Sequence, residues 1–122
     1  PMSNKSNSAI SYALVKNYLS SLINRFFKIL PIKESEEESL PTYIISLQEE
    51  LLGFRELVEF IKSDPSYITL VSILQFFIDN PSCSVTDVKR EVFKAIHIIK
   101  NLQKEYCNAI DATNTDDTEA CK

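Results

Sequence analysis

Residues 40–61 carry a pattern that few folds can accommodate, because apolar side chains recur there at alternating intervals of four and three residues without interruption. The positions are Leu40, Ile44, Leu47, Leu51, Phe54, Val58 and Ile61. This repeat places every apolar side chain on one stripe of an α-helix, whereas a strand would require alternation at every second residue. It is typical of long helices that pack side by side. We therefore predict a helix over residues 40–62, with Ser39 as its N-cap and Pro41 in its first turn.

The segment before this helix predicts another one over residues 8–30. Apolar side chains recur there every four residues from Ile10 to Leu30. Pro31 is expected to end the helix, because proline lacks an N–H donor and its ring clashes with the preceding turn. The connection over residues 31–39 carries four glutamates: Glu34, Glu36, Glu37 and Glu38. Two interpretations stay open for this run, a solvated linker whose charge favours the next helix N-terminus or an acidic patch for a basic partner.

The second half of the chain predicts two more helices. Residues 65–79 are apolar on nearly all sides and follow Asp64, which is a typical N-cap. Residues 84–108 begin with a capping box at Ser84 and continue with an apolar stripe of helical period. Both segments are longer than ordinary strands, so we interpret both as helices.

Four helices joined by short connections predict the fold class. Short connections favour antiparallel neighbours, so we predict an all-α fold, a four-helix antiparallel bundle that forms one domain over residues 8–108. The single glycine among 122 residues agrees with this, since all-β and α/β folds use glycine freely in turns. Residues 1–7 are expected to be a flexible N-terminus. Residues 109–122 are polar and acidic, and we predict a flexible C-terminal tail there.

The residues that carry chemistry in other proteins are sparse here. Cys83, Cys107 and Cys121 lack metal-ligand spacing, and the single histidine cannot complete a zinc site, so we expect no metal and no cofactor. This cysteine usage fits a cytoplasmic protein best, and we expect the thiols to be packed in the core or to have no specific role. His97 is expected to be solvated among cations, and Gly53 lies inside a helix and not in a phosphate-binding loop. We therefore predict a protein that is not an enzyme.

Charge and hydropathy restrict the partners. The net charge is −4, and the last twelve residues carry a net −3, so the remaining 13 acidic and 12 basic side chains nearly cancel. We therefore expect no overall field that attracts nucleic acid or an anionic membrane. The longest uncharged stretch has fourteen residues, which is shorter than a membrane span, so no membrane association is expected.

Two helix faces remain as candidate binding surfaces. The first, the minor face of the second helix, carries a glycine at a helix-interior position that costs about 1 kcal/mol relative to alanine. Its residues are Tyr43, Ser46, Glu50, Gly53, Leu57 and Phe60. The small side chains would let another backbone approach between two aromatic anchors. The alternative is packing of this face against the first or third helix of the same bundle.

The second candidate is a basic stripe on the outer face of the last helix. It comprises Lys89, Arg90, Lys94, His97, Lys100 and Lys104. Such a stripe can contact phosphates or an acidic protein surface, and it can also be an ordinary solvated helix face. No aromatic residue is expected to interleave the stripe for base stacking.

These features favour a binding function over a catalytic one. Our leading hypothesis is a protein–protein interaction module, such as an adaptor, inhibitor or assembly subunit, that presents a helix face to a partner or to its own copy. The alternative is a nucleic-acid-contacting subunit or an antagonist of a nucleoprotein complex that uses the basic stripe, as an accessory protein of a phage or mobile element would. Both hypotheses rest on the general behaviour of small helical bundles.

Overall fold

A computed structural model of the protein describes residues 3–58 and 61–113, with side chains described over residues 12–58 and 61–108. Within these ranges every regular element is a helix, which confirms the all-α prediction. The helices are α1 (Ser3–Phe27), α2 (Ile29–Glu34), α3 (Leu40–Leu57), α4 (Pro65–Asp79) and α5 (Val85–Thr113). The helix α1 begins before its predicted start, and α5 continues past its predicted end, whereas α4 has the bounds that its start and stop signals predicted.

The first predicted helix is interrupted before Pro31 and not ended by it. The break lies at Lys28, after which α2 resumes and continues past the proline to Glu34. Pro31 is the third residue of α2, where the backbone needs no N–H donor because first-turn donors have no intrahelical acceptor. Its ring would clash with the carbonyl of the residue four positions earlier, which is Phe27, the last residue of α1. The proline therefore acts one turn upstream, and the predicted helix end at residue 30 is wrong.

The helix α3 is shorter than predicted, although its apolar stripe is buried as expected. The predicted end at residue 62 is wrong, because α3 ends at Leu57 and Val58 has extended backbone angles (φ −122°, ψ 105°). The side chains of Val58 and Ile61 remain buried in the core. The Arg55 guanidinium then closes the turn by donating to the Lys62 carbonyl oxygen at 2.8 and 3.0 Å. The heptad pattern thus predicted which residues enter the core but not where the helix ends.

Two of the three predicted N-cap side chains accept a hydrogen bond from the helix N-terminus. The Asp64 carboxylate accepts a hydrogen bond from the Ser66 backbone N–H at 2.9 Å, and the Ser84 hydroxyl accepts one from Asp87 at 3.1 Å. Ser39 occupies the predicted N-cap position, but its side chain accepts no hydrogen bond from a backbone N–H, and its hydroxyl instead donates to Glu37 at 3.3 Å. Its backbone is already helical, whereas a capping side chain requires an extended N-cap residue.

Contacts along α1 and α5 show that these two helices run in opposite directions. Tyr12 stacks on Tyr106 near one end, with 6.2 Å between ring centroids. Near the middle, the Gln103 side-chain amide donates to the Ser20 hydroxyl at 2.7 Å. At the other end, Phe27 of α1 meets Phe93 of α5. Because residue numbers rise on one helix as they fall on the other, the pair is antiparallel.

The helices α3 and α4 are also antiparallel. The Gln48 amide donates to the Val71 carbonyl oxygen at 3.2 Å, and the buried Tyr67 hydroxyl donates to the Leu51 carbonyl oxygen at 2.7 Å. Tyr18 of α1 stacks on Phe54 of α3 with 4.0 Å between centroids, which brings the two pairs together.

A single apolar core joins these helices. Among the described side chains, none that is buried is charged, and each long helix contributes large aliphatic or aromatic groups. Fully buried examples are Leu22 and Phe26 from α1, Leu47 and Leu51 from α3, Leu70 and Leu74 from α4, and Ile99 and Leu102 from α5. The buried side chains therefore stabilise the fold, and the candidate binding features all lie at the surface.

Candidate interaction surfaces

The predicted minor face of α3 is divided between internal packing and solvent. Tyr43 and Glu50 are half-buried and face α1. The Tyr43 hydroxyl donates to the Arg25 carbonyl oxygen at 2.8 Å. The Glu50 carboxylate forms an ion pair with the Arg25 guanidinium and accepts a hydrogen bond from the Tyr18 hydroxyl at 2.8 Å. These two residues therefore belong to a contact between α1 and α3, which was the alternative interpretation of this face.

The ionisation of this cluster follows from its contacts. The Arg25 hydrogen bonds hold the pKa of the Glu50 carboxyl below its usual range, and the Tyr18 hydroxyl acts in the same direction. Burial raises the pKa of Tyr18, as does its hydrogen bond to the carboxylate. Glu50 is thus held as a carboxylate that joins two helices.

The remaining described residues of the minor face are exposed. Ser46 and Gly53 are open to solvent, and Leu57 at the end of α3 has 79% of its surface exposed. A Cβ atom added to Gly53 would meet no atom within 4 Å, so no other part of the described chain approaches its backbone closely. Phe60, the sixth predicted residue, lies outside the described residues.

The predicted basic stripe lies on the outer face of α5. Lys89, Lys94, His97, Lys100 and Lys104 are all exposed. Arg90 is exposed as well, but its guanidinium pairs with Asp87 at 3.2 Å and with Glu91 at 3.4 Å. Five of the six predicted residues therefore present their polar groups outward, and the sixth belongs to a surface ion-pair cluster.

An exposed aromatic pair adjoins this stripe, contrary to the sequence-based expectation. Phe93 of α5 and Phe27 of α1 are 46% and 39% exposed, and their rings meet edge to face with 5.9 Å between centroids. Phe93 follows Lys89 by four residues and precedes His97 by four, so all three lie on one side of the helix. The spacing of the polar residues alone does not reveal Phe93 as a neighbour of the stripe.

The charges of the chain are segregated between the helices. Residues 3–28 contain four basic and no acidic side chains, and α5 contains five basic and four acidic ones. These two neighbouring segments together carry a net +5. Residues 29–84 contain three basic and ten acidic side chains, a net −7. The expectation that no overall field attracts a charged partner rests on the summed charge alone. It is therefore incomplete, because positive and negative side chains are concentrated in different segments.

A pocket of about 700 Å³ lies where α2, α3, α4 and α5 meet at one end of the bundle. Its floor is apolar, and the buried side chains there are Ile29, Ile44, Phe77 and Val88. Ile45 and Val85 stand exposed in its wall. Its charged lining comprises four carboxylates, Glu34, Glu36, Glu37 and Glu38, and one cation, Lys33. We call this feature the acidic pocket. Pockets of this size typically bind small molecules or side chains of a partner.

The backbone at the rim has an unusual conformation. Glu36 has a φ of 54°, in the left-handed region that favours glycine, and it directly follows the last turn of α2. Its N–H bonds to the Lys33 carbonyl oxygen at 3.0 Å, and the Glu37 N–H bonds to that of Ile32 at 3.2 Å. These two bonds form a Schellman motif, in which glycine is the usual residue at the position of Glu36. A glutamate in this place adds a carboxylate to the rim at a cost in backbone energy.

The sequence indicates only the rim of the acidic pocket. The run of four glutamates is the signal for it, because one interpretation of that run is an acidic patch for a basic partner. The apolar floor combines residues from four helices, so no local pattern could reveal it.

The cysteines differ from each other. Cys83 lies in the wall of the acidic pocket and has a free thiol, whereas Cys107 of α5 is bonded in a disulfide. The expectation of incidental thiols is therefore corrected at Cys107. Among the described side chains, no group of three or more His, Cys, Asp and Glu residues could hold a metal ion. In the same part of the chain, no helix combines the length and apolarity needed to cross a membrane.

Comparison of the chain with known protein families, with curated proteins and with solved structures gave no match. The functional interpretation therefore rests on these surfaces.

Proposed function

We propose that the protein is a non-enzymatic protein-interaction module whose docking site is the acidic pocket. The partner is a protein segment that combines apolar side chains with lysine or arginine. The apolar floor receives the former, and the carboxylate rim attracts the latter. The observation that carries the proposal is the coincidence of a 700 Å³ apolar pocket with four carboxylates on its rim.

The rim supports a binding function in a second way. Four carboxylates within five residues repel each other, and one of them occupies a backbone position that favours glycine. Both effects lower the stability of the free protein. A cationic partner relieves the repulsion when it binds, so this arrangement is more useful for recognition than for folding.

The α3 minor face is the competing surface within the same functional class. Two of its residues are used in the contact with α1, which leaves Ser46, Gly53 and Leu57 as its described exposed part. These three residues do not line the acidic pocket, which offers a partner both a floor and walls. We therefore favour the pocket as the docking site.

The proposal is tested by selecting short random peptides on the immobilised protein and measuring the affinity of the enriched sequences. We expect sequences that combine Leu, Ile or Phe with Lys or Arg. Ile45→Asp in the pocket wall should weaken their binding at least tenfold. Ile68→Asp is the matched control, because the two isoleucines are 42% and 40% exposed but Ile68 does not line the pocket.

A second pair of variants tests the rim. Glu37→Lys should weaken binding of the same peptides, whereas Glu49→Lys changes the net charge equally on an exposed position of α3 outside the pocket. Gly53→Leu distinguishes the two surfaces, since it should leave peptide binding unchanged. Enriched peptides without basic residues, or equal losses in Ile45→Asp and Ile68→Asp, would exclude the acidic pocket as the docking site.

A further inference from the structure

We propose that the surface shared by α1 and α5 is a second binding site and that its ligand is single-stranded nucleic acid. We call this surface the basic face, and its residues are Phe27, Lys89, Phe93, Lys94, His97, Lys100 and Lys104. This inference is independent of the acidic pocket, since none of these residues lines the pocket.

The first argument is electrostatic. On α5, Asp87, Glu91 and Glu105 lie about 120° to 160° around the helix axis from Phe93, at 100° per residue, whereas Asp111 falls on the side of Phe93, about 10 Å beyond Lys104. The α1 segment next to the basic face contains no acidic residue at all. Between Lys89 and Lys104, the positive charge of the face is therefore not interrupted by a carboxylate on the same side of α5. Phosphates that bind there release counterions, which is the main source of affinity for nucleic acid.

The second argument is the aromatic pair. Phe27 and Phe93 are exposed although the core contains other large apolar side chains that are fully buried. Their edge-to-face arrangement keeps a ring surface open to solvent beside Lys89 and His97. Unpaired bases stack on such rings without regard to sequence. A lysine-rich helix face alone would bind any polyanion. The exposed aromatic rings favour single-stranded nucleic acid, because its unpaired bases are accessible for stacking.

The length of the face agrees with this ligand. Lys89 and Lys104 are fifteen residues apart, which corresponds to about 22 Å along the helix axis. Four lysines lie along this length, counting Lys89 and Lys104 themselves, and they can contact successive phosphates. A protein surface of this kind accommodates on the order of four or more nucleotides. A duplex hides its base faces in the stack, so it would gain only the phosphate contacts.

The test is the fluorescence anisotropy of labelled oligothymidine and oligouridine, titrated with the full chain at low salt. We expect binding of both, with a slope of log K against log salt of about −3, since about four phosphates each contribute roughly −0.7. Lys94→Glu combined with Lys100→Glu should weaken binding at least tenfold and make the slope shallower. Phe93→Leu retains the apolar volume but removes the ring, and it should weaken binding about fivefold or more.

The control carries the same change in net charge elsewhere. Lys33→Glu combined with Lys62→Glu alters two lysines outside the basic face, and it should retain most of the affinity. Far-ultraviolet circular dichroism verifies that each variant keeps its helices. The proposal is overturned if no anisotropy change occurs at low salt, or if both double variants lose affinity equally. Duplex DNA that binds as tightly as the single strand would also refute it, and so would polyglutamate that competes equally with the oligonucleotides.

Discussion

Replacement of Glu36 by glycine should stabilise the protein. A residue other than glycine with left-handed backbone angles loses about 1–2 kcal/mol relative to the right-handed conformation, and glycine avoids this loss. Glycine also gives the unfolded chain more freedom, which offsets about 0.4–1 kcal/mol of the gain. The two Schellman hydrogen bonds involve backbone atoms only and remain in the variant. We therefore expect a net gain of about 0.5–1 kcal/mol, or about 2–4 °C in Tm for a domain of this size.

Urea denaturation followed by far-ultraviolet circular dichroism measures this gain as a shift in the midpoint at unchanged slope. Two controls separate the contributions. Glu36→Ala removes the same carboxylate but keeps a Cβ at a φ of 54°, so it should not reproduce the gain. Ser35→Gly places glycine one residue earlier, where φ is −81°, and it should destabilise the protein by about 0.5–1 kcal/mol. If Glu36→Gly and Ser35→Gly lower the stability by similar amounts, the backbone of Glu36 is not strained and the reasoning is refuted.

Three further predictions follow from the same structure. Gly53→Ala should raise the free energy of unfolding by up to about 1 kcal/mol, measured by urea denaturation, because alanine favours the helix and its Cβ meets no neighbouring atom. Glu50→Gln should lower the free energy of unfolding by about 1 kcal/mol at neutral pH, a value reduced for the partial exposure of the pair. Arg25 lowers the pKa of Glu50 in the folded protein. The wild type should therefore be more stable than Glu50→Gln at pH values above the usual pKa of a glutamate, and this difference in stability should disappear as the pH falls through the lowered pKa. In iodoacetamide labelling followed by peptide mass spectrometry, Cys83 should be modified without a reductant and Cys107 only after reduction, and labelling of both without reduction would contradict the disulfide.

The sequence predicted the fold well where the signals were local and unambiguous. Asp64 and Pro65 start α4 where expected, and Asn80 marks its end, because each of these residues acts through its own backbone. Pro31 was misplaced because the effect of a proline depends on its position within a helix. Within the first turn it is tolerated, and the interruption then falls at the carbonyl of the fourth residue before it.

The candidate surfaces were predicted less completely, because exposure depends on which helices become neighbours. The periodicity of α5 was sufficient to place Lys94 and Lys100 outside. It could not show that Phe93 would meet Phe27 in solvent, since this requires knowing that α1 and α5 are paired. Likewise, the sequence could not distinguish Glu50, which bonds across to α1, from the exposed Ser46 one turn earlier. The floor of the acidic pocket depends on four helices at once and had no signal in any one of them.

The directional contacts of the tyrosines have a practical consequence. The hydroxyls of Tyr18, Tyr43, Tyr67 and Tyr106 each donate to an acceptor in another part of the bundle. Aliphatic side chains alone tolerate sliding of one helix along another, whereas these four bonds fix the axial register. The chain contains no tryptophan. Its near-ultraviolet dichroism therefore arises mainly from these rings, and the disappearance of that signal with intact helicity would reveal a loosened interior before any loss of secondary structure.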